Sequence, residues 1–165
     1  MLQQTKHFGE IEVDSENIIY FNEGLPGFQN EKEFILIDSP EAESPFKWLQ
    51  SIKNTYLAFV VINPFIIKKD YDFELDGGAV KKLGIAKKED VAVYAILVVP
   101  EDINKISMNL KAPVIINVKT KIASQIILDT DKYTVRHYIL DELRRREVGC
   151  NVGANEEEGT IDCNK

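Results

Sequence analysis

Apolar and polar positions alternate along most of this chain, and the apolar ones are rich in Ile, Val, Phe and Tyr. A period of two with that enrichment predicts β-strands. His7 to Val13 alternates through Phe8, Ile11 and Val13, with an irregularity at Gly9. Ile18 to Phe21 and Phe34 to Ile37 are two further short strands. Phe46 to Ser51 and Tyr56 to Ile62, joined around Lys53-Asn54-Thr55, predict a hairpin. Asn63-Pro64 ends it, because Pro has no donor for a ladder. Val91 to Val99 is a long apolar run stopped by Pro100, which predicts a central strand covered on both faces. Ile106 to Leu110, Val114 to Val118, Ile122 to Leu128 and Tyr133 to Ile139 complete the strands. Helical signals are few: Ala79 to Leu83 with a stop at Gly84, a turn over Lys87 to Asp90, and Asp141 to Glu147 ending near Gly149.

Eight to ten short strands without βαβα alternation predict a mainly β fold, an antiparallel β-barrel-like or sandwich domain with short helical insertions. At 165 residues the chain is one domain's worth, since domains most often run about 100–150 residues. We place the barrel domain in residues 1–148 and a flexible, acidic C-terminal tail in residues 149–165, where Gly, Asn and acids leave little to bury.

Charge adds one constraint. Twenty basic residues against 27 acidic ones give a formal net charge of -7. That argues against a stand-alone nucleic-acid binder, because phosphate neutralisation needs a basic surface. Glu156, Glu157, Glu158 and Asp162, against Lys165, put -3 of that charge in the tail. No apolar run at the start reads as a secretory signal, and none reaches the roughly 18–20 residues of a membrane helix, so a cytoplasmic protein without membrane contact is expected. Cys150 and Cys163 then read as free thiols.

The catalytic and metal inventories are thin. His7 and His137 are the only histidines, and neither sits at ligand spacing from another His or a Cys. Gly77-Gly78 lacks the Lys-Ser/Thr that would follow in a phosphate loop and reads as the lead into a helix. No enzyme activity, cofactor or metal is expected.

Four segments in order carry a resemblance. They are Phe21-Asn22-Glu23-Gly24-Leu25-Pro26-Gly27-Phe28; Pro45-Phe46-Lys47-Trp48-Leu49-Gln50-Ser51 with Leu57-Ala58-Phe59 and Asn63-Pro64; Asn109 to Asn117 (NLKAPVIIN); and Ala123-Ser124-Gln125 through Tyr133 and Arg136. Together they span roughly positions 8 to 140 and resemble the flagellar assembly factor FliW family. The resemblance implies a β-barrel-like protein of the bacterial cytoplasm. It also implies two partners, the RNA-binding translational regulator CsrA, whose repression of flagellin synthesis is blocked, and flagellin itself, in a partner switch. It implies no enzymatic activity. No direct binding of nucleic acid is expected, from the net charge and the absence of a basic-aromatic stripe, and a monomer is expected for the free protein.

Three features have more than one reading. Pro26-Gly27 is a type II turn signature, with Gly24 before it, and Leu25 and Phe28 at its ends either plug the barrel or stand out as an anchor. If a three-residue turn joins the third and fourth segments, Asn117 falls opposite Gln125 and Ile116 opposite Ile126. The two amides are then either a buried pair bonded to backbone or a polar spot within a partner-binding surface. The tail acids Glu156, Glu157, Glu158 and Asp162 are either a solvated end or a partner-binding segment that faces the regulator's basic RNA surface.

Overall fold

The computed structural model describes residues 2–41 and 43–154, and the side chains up to residue 146. Eleven strands and three α-helices follow in the order β1 (Leu2–Thr5), β2 (Gly9–Glu12), β3 (Ile19–Phe21), β4 (Glu33–Asp38), β5 (Phe46–Ser51), β6 (Ala58–Ile62), α1 (Pro64–Ile67), α2 (Gly77–Leu83), β7 (Val91–Val98), β8 (Ser107–Met108), β9 (Val114–Asn117), β10 (Ile122–Gln125), β11 (His137–Tyr138) and α3 (Ile139–Ala154). Strands β7-β6-β5-β4-β3-β10-β9 are paired in that order, and β9 pairs back onto β7, which closes a seven-stranded barrel. Every pairing is antiparallel except the parallel pair of β3 and β10. The expected antiparallel barrel is therefore present with one parallel seam.

Period two sorts the side chains as it should. Phe34 and Leu36 of β4 stand across from Ser51 and Leu49 of β5, Leu49 from Phe59 of β6, and Ile96 of β7 from Val61. With Ile19, Phe21, Val114, Ile116 and Ala123 these form the barrel interior. Two further cores lie outside it. One packs Ile62, Ala95 and Leu97 from the outer face of β6 and β7 under Ile67, Tyr71, Met108, Leu110, Tyr133 and Ile139. The other packs Ile35 of β4 under Val13 and Ile18.

Strand β7 decides the topology. Along one edge it carries β9 over Val91 to Tyr94 and then β8 over Leu97 and Val98. Between Leu97↔Met108 and Tyr94↔Val114, β7 advances three residues while the opposing chain advances six. The three extra residues bulge out around Asn109 to Pro113, where Asn109 Oδ1 accepts from Ala112 N–H at 3.0 Å. That bulge splits β8 and β11 from the barrel. The expected strand Ile106–Leu110 is confined to Ser107–Met108, and the expected strand Tyr133–Ile139 to its partner His137–Tyr138.

The first strand was not foreseen. Leu2–Thr5 pairs with Gly9–Glu12 as a hairpin, and the predicted run from His7 is cut where Gly9 adopts a left-handed φ of 65°. His7 and Phe8 of its turn lie against Trp48 at ring distances of 4.6 and 5.5 Å. Helix α3 also differs from expectation. It runs from Ile139 past Gly149 to Ala154, beyond the stop expected there. The tail acids and Cys163 lie outside the described residues.

The Pro-Gly turn forms as predicted. Phe28 N–H donates to Leu25 C=O at 2.7 Å and Gly27 takes a φ of 84°, the geometry of a type II turn. Gly24 has a close-packing reason as well, since a Cβ there would lie 2.6 Å from the backbone of Gln29. The two ends of the turn separate in role. Leu25 is buried in the barrel core, whereas Phe28 is 40% exposed and rests edge-on against Phe59 at 5.5 Å. Leu25 is the plug and Phe28 its cover. Leu25→Ala should therefore lower unfolding stability by about 3 kcal/mol, and Phe28→Ala by less than about 1.5 kcal/mol, in urea titrations of the full chain. Equal losses would contradict the division.

Candidate functional site

A groove of about 800 Å³ lies over the start of β7. Its floor is apolar: Val91 and Val93 from β7, Val80 from α2, Ile85 just after it, and Phe65 and Phe73. Lys69, Asp72 and Glu74 line it from the segment after α1, and Lys87 and Lys88 from the turn before β7. The expectation that β7 is covered on both faces is met over Ala95 to Leu97. Its first half opens into this groove.

Each wall is held in place by bonds that can be traced. Asn63 Oδ1 accepts from Phe65 N–H at 3.0 Å and starts α1, with Pro64 at the first helical position, where its missing N–H costs nothing. Beyond α1, Tyr71 is buried, its hydroxyl donates to Leu110 C=O at 2.7 Å, and its ring meets that of Tyr133 at 4.7 Å. Burial, reinforced by Tyr133, pushes the Tyr71 phenol far above its ordinary pKa, so it stays a donor. The Tyr133 hydroxyl bonds both the N–H and the C=O of Asp72 at 2.9 Å. These two tyrosines pin residues 71 and 72 against the outer core.

The other wall depends on Asn117. Helix α2 is capped by Asp76, whose Oδ1 accepts from Ala79 N–H at 2.7 Å. It ends on Gly84 in the left-handed conformation, with Ile85 N–H returning to Val80 C=O. This settles Gly77-Gly78 as a capped helix start. The carbonyls of Leu83 and Gly84 then accept from Asn117 Nδ2 at 2.9 and 3.1 Å, while Asn117 Oδ1 accepts from the N–H groups of Lys119 and Thr120.

The predicted pairing of Asn117 with Gln125 is corrected here. Ala123 stands opposite Ile116 and Gln125 opposite Val114, so the connection is four residues, 118–121, rather than three. Lys121 closes it with a left-handed φ of 65° and donates its N–H to Asn117 C=O. The three-residue difference in register is odd, so it moves Asn117 to the outer face of the barrel and Gln125 to the inner one. Ile116 consequently does not face Ile126. Gln125 Nε2 donates to Ala112 C=O at 2.9 Å. Both amides are bonded to backbone, at separate places.

A charge cluster fixes α3 beside α1. Glu142 is buried, and its Oε1 lies 2.8 Å from His137 Nε2, 3.4 Å from Lys68 Nζ and 3.7 Å from Arg145. Arg146 Nη1 donates to the carbonyls of Ile66 and Ile67 at the end of α1, and Arg144 pairs with Asp141. The Arg144-Arg145-Arg146 run is thus spent on contacts within the protein. Burial opposes the charge on Lys68, but its hydrogen bond to Asp70 and the charge of Glu142 outweigh it, so its pKa lies above 10.5. The same bond, with Lys68 as donor, lowers the Asp70 pKa below 3.8. Among the described residues no group of three His, Cys, Asp or Glu side chains could hold a metal ion, and no helix is long and apolar enough to cross a membrane.

Residues 2–139 match the family model described as FliW protein. The chain belongs to the FliW family. A flagellar assembly factor FliW of Ruminiclostridium cellulolyticum is 55% identical over 148 residues, which cover 90% of this chain and all of that protein. One of Alkaliphilus metalliredigens is 45% identical over 162 residues, covering 98% of this chain and all of the relative. A crystal structure of the flagellar assembly factor FliW superposes with a TM-score of 0.79 at 37% identity, covering 84% of this chain and 96% of that one. This FliW-family chain is accordingly a flagellar assembly factor with the family's barrel. The match ends at residue 139, so α3 beyond its first residue, Glu142 and Arg145 included, lies outside the family model, while their partners Lys68 and His137 lie within it.

Sequence reading missed the groove because its walls come from residues 65–75, which carry no period, and from the register of β9. Two outcomes test the wall. Asn117→Ala strands two helix-end carbonyls and two turn N–H groups, so it should cost about 2 kcal/mol or more in urea unfolding and speed amide exchange at Ile85. The Lys68 contribution is fully present below pH 10.5 and is lost as pH rises through its raised pKa. Lys68→Met should therefore flatten the fall in melting temperature above about pH 10.

Proposed function

We propose that this chain sequesters a CsrA-type translational regulator, relieving its repression of flagellin mRNA, and binds flagellin as the alternative partner. It acts by binding and without catalysis, in the cytoplasm, as a monomer when free. The observation that carries the reading is the open apolar groove over β7 in a FliW-family chain. Exposed apolar clefts of this size mark protein contact surfaces. Flagellin, read as presenting amphipathic terminal helices, supplies an apolar face for such a surface. The regulator, read as carrying a positive RNA-binding surface, is drawn to a chain of net charge -7. The tail acids Glu156, Glu157, Glu158 and Asp162 contribute to that attraction and repel RNA phosphates. Asn117 serves the contact by holding the groove wall, and Gln125 by tying β10 to the Ala112 carbonyl before β9.

A pull-down of the purified chain with the regulator, with flagellin and with both should yield two binary complexes and no ternary one. Simultaneous capture of both partners breaks the switch. The chain alone should not retain flagellin leader RNA on a filter. Replacing Glu156, Glu157 and Glu158 together with Gln should slow association with the regulator several-fold at low salt, with little change at high salt. An unaltered on-rate at low salt would remove the tail from the mechanism.

A further inference from the structure

The turn that carries Leu25 stoppers one end of the barrel. β3 runs from Ile19 to Phe21 and leads into that turn, and β4 begins beyond it. Away from the turn, a cavity of about 210 Å³ opens between Ile19 at the start of β3, Leu36 of β4, Ala92 and Tyr94 of β7 and Ile116 of β9. All five side chains belong to the barrel interior. Ile19 and Ile116 are buried, whereas Leu36, Ala92 and Tyr94 are only half-buried, so the interior is incompletely covered here. The cavity shares no lining residue with the groove described above. Val91 and Val93 line the groove while Ala92 and Tyr94 line the cavity, as alternate residues of one strand must if the two lie on its opposite faces.

Two polar groups give the cavity its chemistry. Lys121 is the only charged side chain that lines it among the described residues. Its backbone is fixed on both sides: its N–H donates to Asn117 C=O and its C=O accepts from Tyr20 N–H, each at 2.8 Å. Its side chain takes part in no ion pair among the described residues. The Tyr94 hydroxyl likewise has no hydrogen-bond partner among them, and Lys47, which feels the Tyr94 phenol, is taken up by its pair with Asp38.

An unpaired ammonium beside apolar walls gains from an anion, and the walls gain from a hydrocarbon body. Size sets the rest. The volume equals that of about seven liquid waters at ~30 Å³ each, which admits one ring or a short branched chain with a single carboxylate. A more highly charged ligand would bring more negative charge than one ammonium and one phenol can match.

We propose that this barrel-end cavity binds a small amphipathic carboxylate, its hydrocarbon body against Ile19, Leu36, Ala92 and Ile116 and its carboxylate on Lys121 Nζ and the Tyr94 hydroxyl. The site goes beyond the partner-binding reading and does not depend on it.

Phenylacetate, cyclohexanecarboxylate and 4-methylpentanoate serve as probes, each beside its own primary amide, which has the same shape without the charge. Binding to the full ¹⁵N-labelled chain is read from backbone amide shifts. At least one acid should saturate with a Kd of about 1 mM or tighter, the range open to so few heavy atoms. Its largest shifts should fall at Ile19, Leu36, Ala92, Tyr94 and Lys121. Its amide should bind about fivefold more weakly or worse. Lys121→Met keeps the apolar stem and should weaken the acid by that same factor while leaving the amide unchanged. Tyr94→Phe should weaken the acid about threefold. Spectra that overlay away from the cavity confirm that each variant folds, and the comparison of acid with amide on the unaltered chain stands without either variant. Saturation by none of the three acids, equal affinity for acid and amide, shifts centred elsewhere, or an acid preference that survives in a folded Lys121→Met chain would overturn the inference.

Discussion

Closure of the sheet through β7 is the constraint on which everything else depends. Seven strands form a barrel only because β9 returns to the edge of β7 opposite β6. That closes the ring of strands and fills its interior with the inward residues of all seven. The return is made possible by the three-residue bulge around Asn109 to Pro113. Without it, β8 and β9 would form one uninterrupted partner to β7, and β9 would reach β10 out of register. The same bulge turns β8 and β11 aside to cover the outer core, so one local irregularity produces both the closed barrel and the layer packed on it.

The groove is a by-product of this closure. The outer face of β7 is covered over its second half by α1, α3 and residues 128–133, and left open over its first half. Its walls are short segments with little internal stability, and each is tied to the barrel by long-range polar bonds: Tyr71 to Leu110, Tyr133 to Asp72, and Asn117 to Leu83 and Gly84. Glu142 does the same for α3 by gathering Lys68, His137 and Arg145 around one buried carboxylate. A buried carboxylate is tolerable because it is paired on several sides. A protein-docking surface gains from such bonds, because walls already ordered cost less entropy when a partner arrives.

Local chemistry was legible wherever a few neighbouring residues decide the outcome. The strands β3 to β6, β9 and β10 follow from short β-rich runs and β7 from its continuous apolar run, most with their ends shifted by a residue or more. The type II turn follows from Pro26-Gly27, and the end of α2 from Gly84. The strand β1 was illegible because Leu2-Gln3-Gln4-Thr5 is polar and weakly patterned, and its place depends on pairing with β2. The register of β9 and β10 was illegible because the connection is set by Asn117. Its side-chain oxygen takes two turn N–H groups and allows Lys121 a left-handed backbone that composition does not announce.

The sequence by itself determined the class of fold, the family, the Pro-Gly turn and the uneven placement of acidic charge, because each is written in contiguous residues. Tertiary structure alone decided what the chosen residues do. Asn117 and Gln125, read as facing one another, occupy opposite faces of the barrel wall, since a register shift of three inverts the pleat. His137, an isolated histidine in the sequence, becomes a partner of Glu142 five residues on, and Lys68 joins them from the other side of the chain. The groove exists in no single segment. It is formed where α1, α2 and the start of β7 are brought together by barrel closure, and closure is a property of long-range pairing that no local pattern encodes.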